Sequence, residues 1–165
     1  MNYAMPQIGL VTRDDISGIF ELQEENMLDR GGMLTVRFSP AMLEAELENL
    51  PQIVARRDGK VVGYMLAASR GMRGNAPIMQ AMFHAYPGSP RTYIYGPVCV
   101  ADSERGQGLV GKMFEALVKQ LPGRECVTFV RRDNAPSLRA HLKMGMRDVA
   151  SFTHDGVLQA VLVHP

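Results

Sequence analysis

One stretch restricts the fold more than any other: VCVADSERGQGLVGKMFEAL, Val98 to Leu117. An apolar, strand-like run enters a short polar turn. Three glycines follow, Gly106, Gly108 and Gly111, and then a helical pattern with Leu109, Met113, Phe114, Leu117 and Leu121 on one face. That order puts a helix N-terminus just beyond the end of a strand. Unpaired N–H groups and the positive end of the helix dipole meet there, and both favour a phosphate. Two phosphate templates overlay the glycines. Gly106, Gly108 and Gly111 form G-x-G-x-x-G, and Gly106, Gly111 and Lys112 form G-x-x-x-x-G-K. A third pattern, R-x-x-G-x-G/A, starts at Arg105.

Reading outward from this stretch gives the rest of the plan. Ile8–Thr12 is an expected first strand, and Asp14 or Asp15 can cap a helix running to about Met27. Ser39 as cap, Pro40 as first residue and Pro51 as stop define a second helix. Two β-rich runs flank Asp58-Gly59, a hairpin turn in which Gly tolerates positive φ. Residues 70–91, punctuated by Gly and Pro around a short Met-rich helix, read as an insertion: a lid, or a surface excursion that plugs the core. TYIYGPVCV is a strand interrupted at Gly96-Pro97. Proline has no N–H for a ladder, so this strand is expected to bulge or to lie at an open edge. After the glycine-led helix come a strand (ECVTFV), a short helix closed by Gly145 (APSLRAHLKMG) and a terminal hairpin turning at THDG. The order is β-α-α-β-β-(insertion)-β-α-β-α-β-β.

This order selects among the templates. A dinucleotide fold places its glycines directly after its first strand and needs several further β-α units. Here five residues, ADSER, intervene, an antiparallel hairpin comes first, and only 54 residues follow Gly111. The second template needs a Ser or Thr hydroxyl for Mg²⁺ after its Lys, and Met113 stands there. The third template fits. VCVADSERGQGLVGKMFEAL resembles motif A of the GNAT (Gcn5-related N-acetyltransferase) superfamily. NAPSLRAHLKMGM resembles its motif B, N-x-x-S-x-x-F-Y-x-x-x-G-F, with Asn134, Ser137 and Gly145 on matching positions. The element order agrees over nearly the whole chain. The resemblance implies an α/β (α+β) GNAT fold, a mixed central sheet of about seven strands with a splayed central pair and helices on both faces. It spans one domain, residues 1–165, with the insertion at 70–91.

The resemblance also implies an acyl-CoA-dependent N-acyltransferase, most simply one moving acetyl from acetyl-CoA directly to an amine. The alternative is a non-catalytic CoA-binding sensor on the same fold. The pyrophosphate would meet Arg105, Gly106, Gln107, Gly108, Leu109, Val110, Gly111 and Lys112. The pantetheine arm would pair with the backbone of Val98, Cys99 and Val100, where the N–H of a bulge residue near Val98 could polarise the thioester oxygen. Asn134 and Ser137 of motif B complete the cofactor side. The sequence departs from the pattern at several positions, among them Ala140 and Met146 where motif B has Phe. Val110 replaces the loop's final Gly/Ala. TYIYGPVCV lacks the carboxylate that many relatives use as a base. His141 stands where motif B has its Tyr, which makes His141 the candidate general acid. Glu24, Glu25 and Asp29 are alternative sources of a base.

Bulk properties bound the partners. Lys and Arg total 18 against 17 Asp and Glu, a net charge of +1, which carries no footprint for nucleic acid or a membrane surface. No apolar run has the length of a membrane span, and MNYAMPQIGL lacks the features of a signal peptide. Cys99 and Cys126, inside apolar runs, are expected as buried thiols in a reducing cytoplasm. The four His show no metal-ligand spacing, so no metal is expected. The expected partner is a small-molecule or peptide amine, with a homodimer left open.

Overall fold

A computed structural model describes residues 4–165. The seven strands lie in one mixed sheet of order β1-β2-β3-β4-β5-β7-β6, and the chain divides into two compact units. The N-terminal unit holds the described residues through Ala67 together with Gly96–Pro122, and the C-terminal unit holds Ala68–Tyr95 and Gly123–Pro165.

In the N-terminal unit, β1 (Gln7–Leu10), β2 (Ile53–Arg57) and β3 (Lys60–Ser69) pair antiparallel in sequence order. The hairpin joining β2 and β3 turns at Asp58 (φ 52°) and Gly59 (φ 77°), the positive-φ pair that a tight two-residue turn requires. Helix α1 (Ile16–Glu25) follows a 3₁₀ turn and is shorter than the sequence pattern suggests. Helix α2 (Pro40–Asn49) starts as expected: the Ser39 hydroxyl accepts the Met42 N–H at 3.2 Å, with Pro40 in the first turn. Ile19, Leu22 and Leu43 from these helices bury against Val54, Tyr64 and Leu66 of the strands.

The C-terminal unit is built on β5 (Cys126–Arg131), β6 (Arg147–His154) and β7 (Val157–His164), with β7 pairing antiparallel to both others. Strand β4 (Tyr93–Val100) begins here, where Tyr93 and Ile94 pair in parallel with Cys126 and Val127. Residues 70–91 contain a single-turn helix α3 (Arg70–Arg73) and helix α4 (Pro77–Ala85). Met82 and Phe83 of α4 enter one apolar cluster with Ile94, Val127, Phe152 and Val161. The Met-rich face therefore packs into a core, and α4 lies against β6.

Helix α5 (Leu109–Gln120) carries the expected apolar stripe, with Leu109, Met113, Phe114 and Leu117 buried. It ends at Gln120, just before Pro122-Gly123, and helix α6 (Ala135–Lys143) is closed by Gly145 at φ 93°. The sheet order removes one of the two expectations for β4, the open edge. β4 has β3 and β5 as neighbours and is no edge strand, so the N–H that Pro97 lacks is missing from the middle of the sheet. Gly96 has φ 109°, and the Gly96-Pro97 peptide is cis. Among the described residues no helix is long and apolar enough to cross a membrane.

Candidate functional site

The turn that leads into α5 is made of backbone. β4 ends at Val100, a 3₁₀ turn spans Asp102–Glu104, and Gly106 (φ 78°) and Gly108 (φ 75°) follow in the left-handed region. Glycine adopts that conformation without the Cβ penalty other residues carry. Gly108 is the N-cap of α5 and no side chain caps the helix. The first-turn N–H groups, those of Leu109, Val110 and Gly111, therefore have no capping acceptor. A Cβ placed on Gly106, Gly108 or Gly111 would find nothing within 4 Å, so the backbone faces open space at all three. This cradle fits a pyrophosphate: N–H groups converge, the dipole is favourable, and no side chain blocks close approach. Leu109 points into the core while Val110 is half-buried. The branched Val110 side chain can thus coexist with use of its N–H. Gln107 and Lys112 are exposed.

Two arginines brace this turn. Arg105, expected on the phosphate, is largely engaged within the protein. Its Nε donates to the Val100 carbonyl at 3.2 Å, its Nη2 to Asn26 Oδ1 at 2.9 Å, and its Nη1 lies 2.5 Å from Asp102. Asn26 is buried, and its own amide donates to the Leu22 carbonyl at 2.8 Å, so Arg105 ties the loop to the end of α1. On the other flank, Arg57 binds Glu104 side-on, Nε at 2.6 Å and Nη2 at 2.8 Å. That arginine, with help from Gln107, holds the Glu104 carboxyl below the usual glutamate range. Glu104 is almost fully covered and stands two residues before the first cradle glycine. An unneutralised carboxylate there would oppose a bound phosphate, so Arg57 both anchors the turn and cancels its charge. Neither Arg57, Glu104 nor Asn26 carries a sequence signal. Their partners lie 47 and 79 residues away along the chain.

The strand residues read as backbone contacts divide by exposure. Val98 is half-buried, whereas Cys99 and Val100 are buried. Burial pushes the Cys99 thiol up to about 11, so it is an inert packing group. Cys126 is likewise free and buried.

In the C-terminal unit, motif B is a capped helix. Asn134 Oδ1 accepts the Ser137 N–H at 3.3 Å, which starts α6 and sets its phase. One turn on, His141 Nδ1 lies 2.7 Å from the Ser137 carbonyl and 3.4 Å from its hydroxyl. The ring of Tyr95 meets the imidazole edge-on, with centroids 5.7 Å apart. Burial lowers the His141 pKa, and the Ser137 carbonyl offsets this in part. A carbonyl can only accept, so Nδ1 carries the hydrogen and the neutral ring keeps its lone pair on Nε2. Among the alternative bases, Glu24 and Asp29 both pair with Arg37, at 2.6 and 3.7 Å. Glu25 forms no ion pair among the described residues, and its charge reaches Cys99.

Comparison with known proteins agrees with this geometry. The profile of the acetyltransferase (GNAT) family matches residues 18–146. Among proteins of curated function, no sequence match is found. Solved structures share the fold at low identity. The yncA protein of Salmonella typhimurium, solved with its cofactor acetyl-CoA, superposes with a TM-score of 0.71 at 18% identity, over 98% of this chain and 94% of that one. A ribosomal-protein-alanine N-acetyltransferase of Brucella melitensis gives 0.67 at 19% identity, over 96% and 98%. A phosphinothricin acetyltransferase of Sinorhizobium meliloti, in complex with acetyl-CoA, gives 0.70 at 18% identity, over 98% and 89%. With a glycine cradle at the start of α5, a motif B helix behind it in sequence and the family profile across both, the chain belongs to the acetyltransferase (GNAT) family, acetyl-CoA-dependent transferases that act on amine acceptors.

Proposed function

We propose that this chain transfers acetyl directly to the nitrogen of a small-molecule or peptide amine, as one catalytic domain over residues 1–165 with 70–91 inserted between β3 and β4. The observation that carries this reading is the uncapped N-terminus of α5, open above Gly106, Gly108 and Gly111. Backbone N–H groups from Gly106 to Lys112 would hold the pyrophosphate of the cofactor, and main-chain groups of Val98 to Val100 its pantetheine arm. Acetyl-CoA supplies an acyl group already activated as a thioester.

The chain's own contribution is position and proton handling. Arg105 and Arg57 keep the cradle in its binding shape before any ligand arrives. Asn134 and Ser137 act through His141: the cap sets the helix phase and the Ser137 carbonyl fixes the tautomer. In that tautomer Nε2 bears no proton, so His141 cannot act first as an acid. It can take a proton from the attacking amine at Nε2, and only the imidazolium so formed can give one back. The acid role expected from motif B thus becomes the second half of a proton relay.

The test is a panel of amines assayed for thiol release from acetyl-CoA, alongside calorimetric titration with CoA. Turnover on at least one amine together with CoA binding supports the reading. CoA binding with no turnover on any amine would leave only a sensor.

A further inference from the structure

The segment between β3 and β4 has a chemical bias that acetyl transfer does not explain. Between Asp58 and Asp102 the chain contains no Asp or Glu, while Arg70, Arg73, His84 and Arg91 all fall within residues 70–91. In the C-terminal unit, part of this segment forms an open surface hollow of about 460 Å³ lined by Arg70, Gly74, Asn75, Gln80, Phe83 and His84.

Arg70 organises the hollow. Its guanidinium carbon lies 3.9 Å from the centroid of the Phe83 ring, which is buried. Its Nη1 donates to the carbonyls of Pro87 at 2.6 Å and Ser89 at 3.0 Å. The ring and the two carbonyls fix the guanidinium plane. The opposite edge, Nε with Nη2, meets no acceptor among the described residues. That edge presents two parallel N–H donors, the arrangement that matches a carboxylate. Arg56 and Arg57 use the same edge on Asp15 and Glu104 elsewhere in this protein. Among the described residues no carboxylate pairs with Arg70. Glu125 accepts instead from the hydroxyls of Tyr86 and Thr92. The exposed amides of Asn75 and Gln80 and the His84 ring add polar groups at the rim.

We propose that this hollow is a carboxylate-binding site, taking a small organic carboxylate side-on against the Nε–Nη2 edge of Arg70, with Gln80 and His84 at its rim. The carboxylate comes either from the amine acceptor itself or from a separate ligand. Only the first origin rests on the transfer reading.

The full chain, without acetyl-CoA, is titrated with benzoate and with benzamide, its neutral isostere. Benzoate should bind at least about tenfold more tightly, the scale of one charge-assisted pair. Gln80→Glu places a competing carboxylate at the rim and leaves every Arg70 bond in place. It should weaken benzoate about tenfold or more with the melting temperature kept. Arg70→Met should do the same, and if it fails to fold, the Gln80→Glu result decides. No benzoate binding, equal binding of the two probes, or an unaffected Gln80→Glu protein would overturn the site. A second arm assigns the origin. A KM raised in Gln80→Glu for amino acids but not for their carboxamides places the carboxylate on the acceptor. A change of rate by benzoate without competition against the amine places it on a separate ligand. An enzyme that acetylates nothing would defeat the transfer reading and leave the benzoate titration standing.

Discussion

Gly106, Gly108 and Gly111 leave the backbone bare over open space, whereas His141 is enclosed by Tyr95 and its own helix turn. The first site works by what is missing. Any side chain at Gly108 would fill the cradle, and its φ of 75° would strain the replacement as well. The second site works by what surrounds it. The imidazole has one hydrogen, and the Ser137 carbonyl decides which nitrogen carries it. One region is specified by residue type, the other by neighbours, so the two should fail differently when altered.

The largest effect is expected at the cradle. Gly108→Glu adds bulk and a negative charge where phosphate is to sit. CoA affinity should fall by about 100-fold or more, and left-handed strain of about 1–2 kcal/mol should lower the melting temperature only by several degrees. Calorimetry on the folded variant checks this. Unchanged CoA affinity would remove the cradle from the site and the transfer reading with it.

His141 comes next. His141→Ala should reduce kcat about 100-fold with CoA affinity nearly intact, the usual scale of a lost proton carrier. His141→Gln keeps a hydrogen-bonding group but not a titrating one, and should recover little. A kcat equal to the parent in His141→Ala across pH 6 to 9 would hand the proton work to water or to Glu25. Loss of CoA affinity equal to the loss of kcat would make His141 a packing residue only.

What was legible in the sequence follows the same division. The Asp58-Gly59 turn, the Ser39-Pro40 helix start and the glycine cradle each depend on a residue whose backbone preference decides the conformation. These could be read locally. The interior place of β4 could not, because Pro97 reports a missing donor but not which strands lie on either side. The internal partners of Arg105 were equally hidden. A guanidinium before a glycine loop suits a phosphate, and only the fold brings Asn26 and the Val100 carbonyl to it. Arg57 and Glu104, far apart in the chain, show no pattern at all until the β2–β3 hairpin meets the 3₁₀ turn. The Met-rich helix of residues 77–85 could be read as a helix, but the sequence left lid and core plug equally open, and only the packing of Met82 and Phe83 decides for the core.

A smaller effect separates anchoring from charge. Arg57→Met leaves the covered Glu104 carboxylate unpaired beside the cradle. CoA affinity should drop about tenfold, with about 1–3 kcal/mol lost in stability. Adding Glu104→Gln removes the stray charge. The double variant should regain most of the CoA affinity if charge is what matters, and none of it if the clamp's geometry matters. Glu104→Gln alone should keep CoA affinity, since one side-on pair is weakened without creating a negative group.

The smallest effect is a difference between the two sites in acid. Burial holds the His141 pKa below its ordinary 6.5, so the unfolded chain binds a proton there more readily than the folded one. The stability this contributes is complete above pH 6.5 and is lost as pH falls through the lowered folded value. Glu104 has the same sign in a lower window. Arg57 holds its pKa below 4.5, so its contribution is complete above pH 4.5 and is lost only as pH drops through the folded value. Melting temperatures taken from pH 7 to pH 3 should therefore fall in two stages. His141→Gln should flatten the first stage and leave the second. Glu104→Gln should flatten part of the second and leave the first, with Asp15, Asp133 and Asp148, each held low beside an arginine, keeping the remainder. An imidazole resonance assigned by its loss in His141→Gln should titrate below 6.5. A midpoint above 6.5 would mean that a negative group approaches Nε2. The ring would then carry a proton before the amine arrives, and His141 would act as an acid from the start.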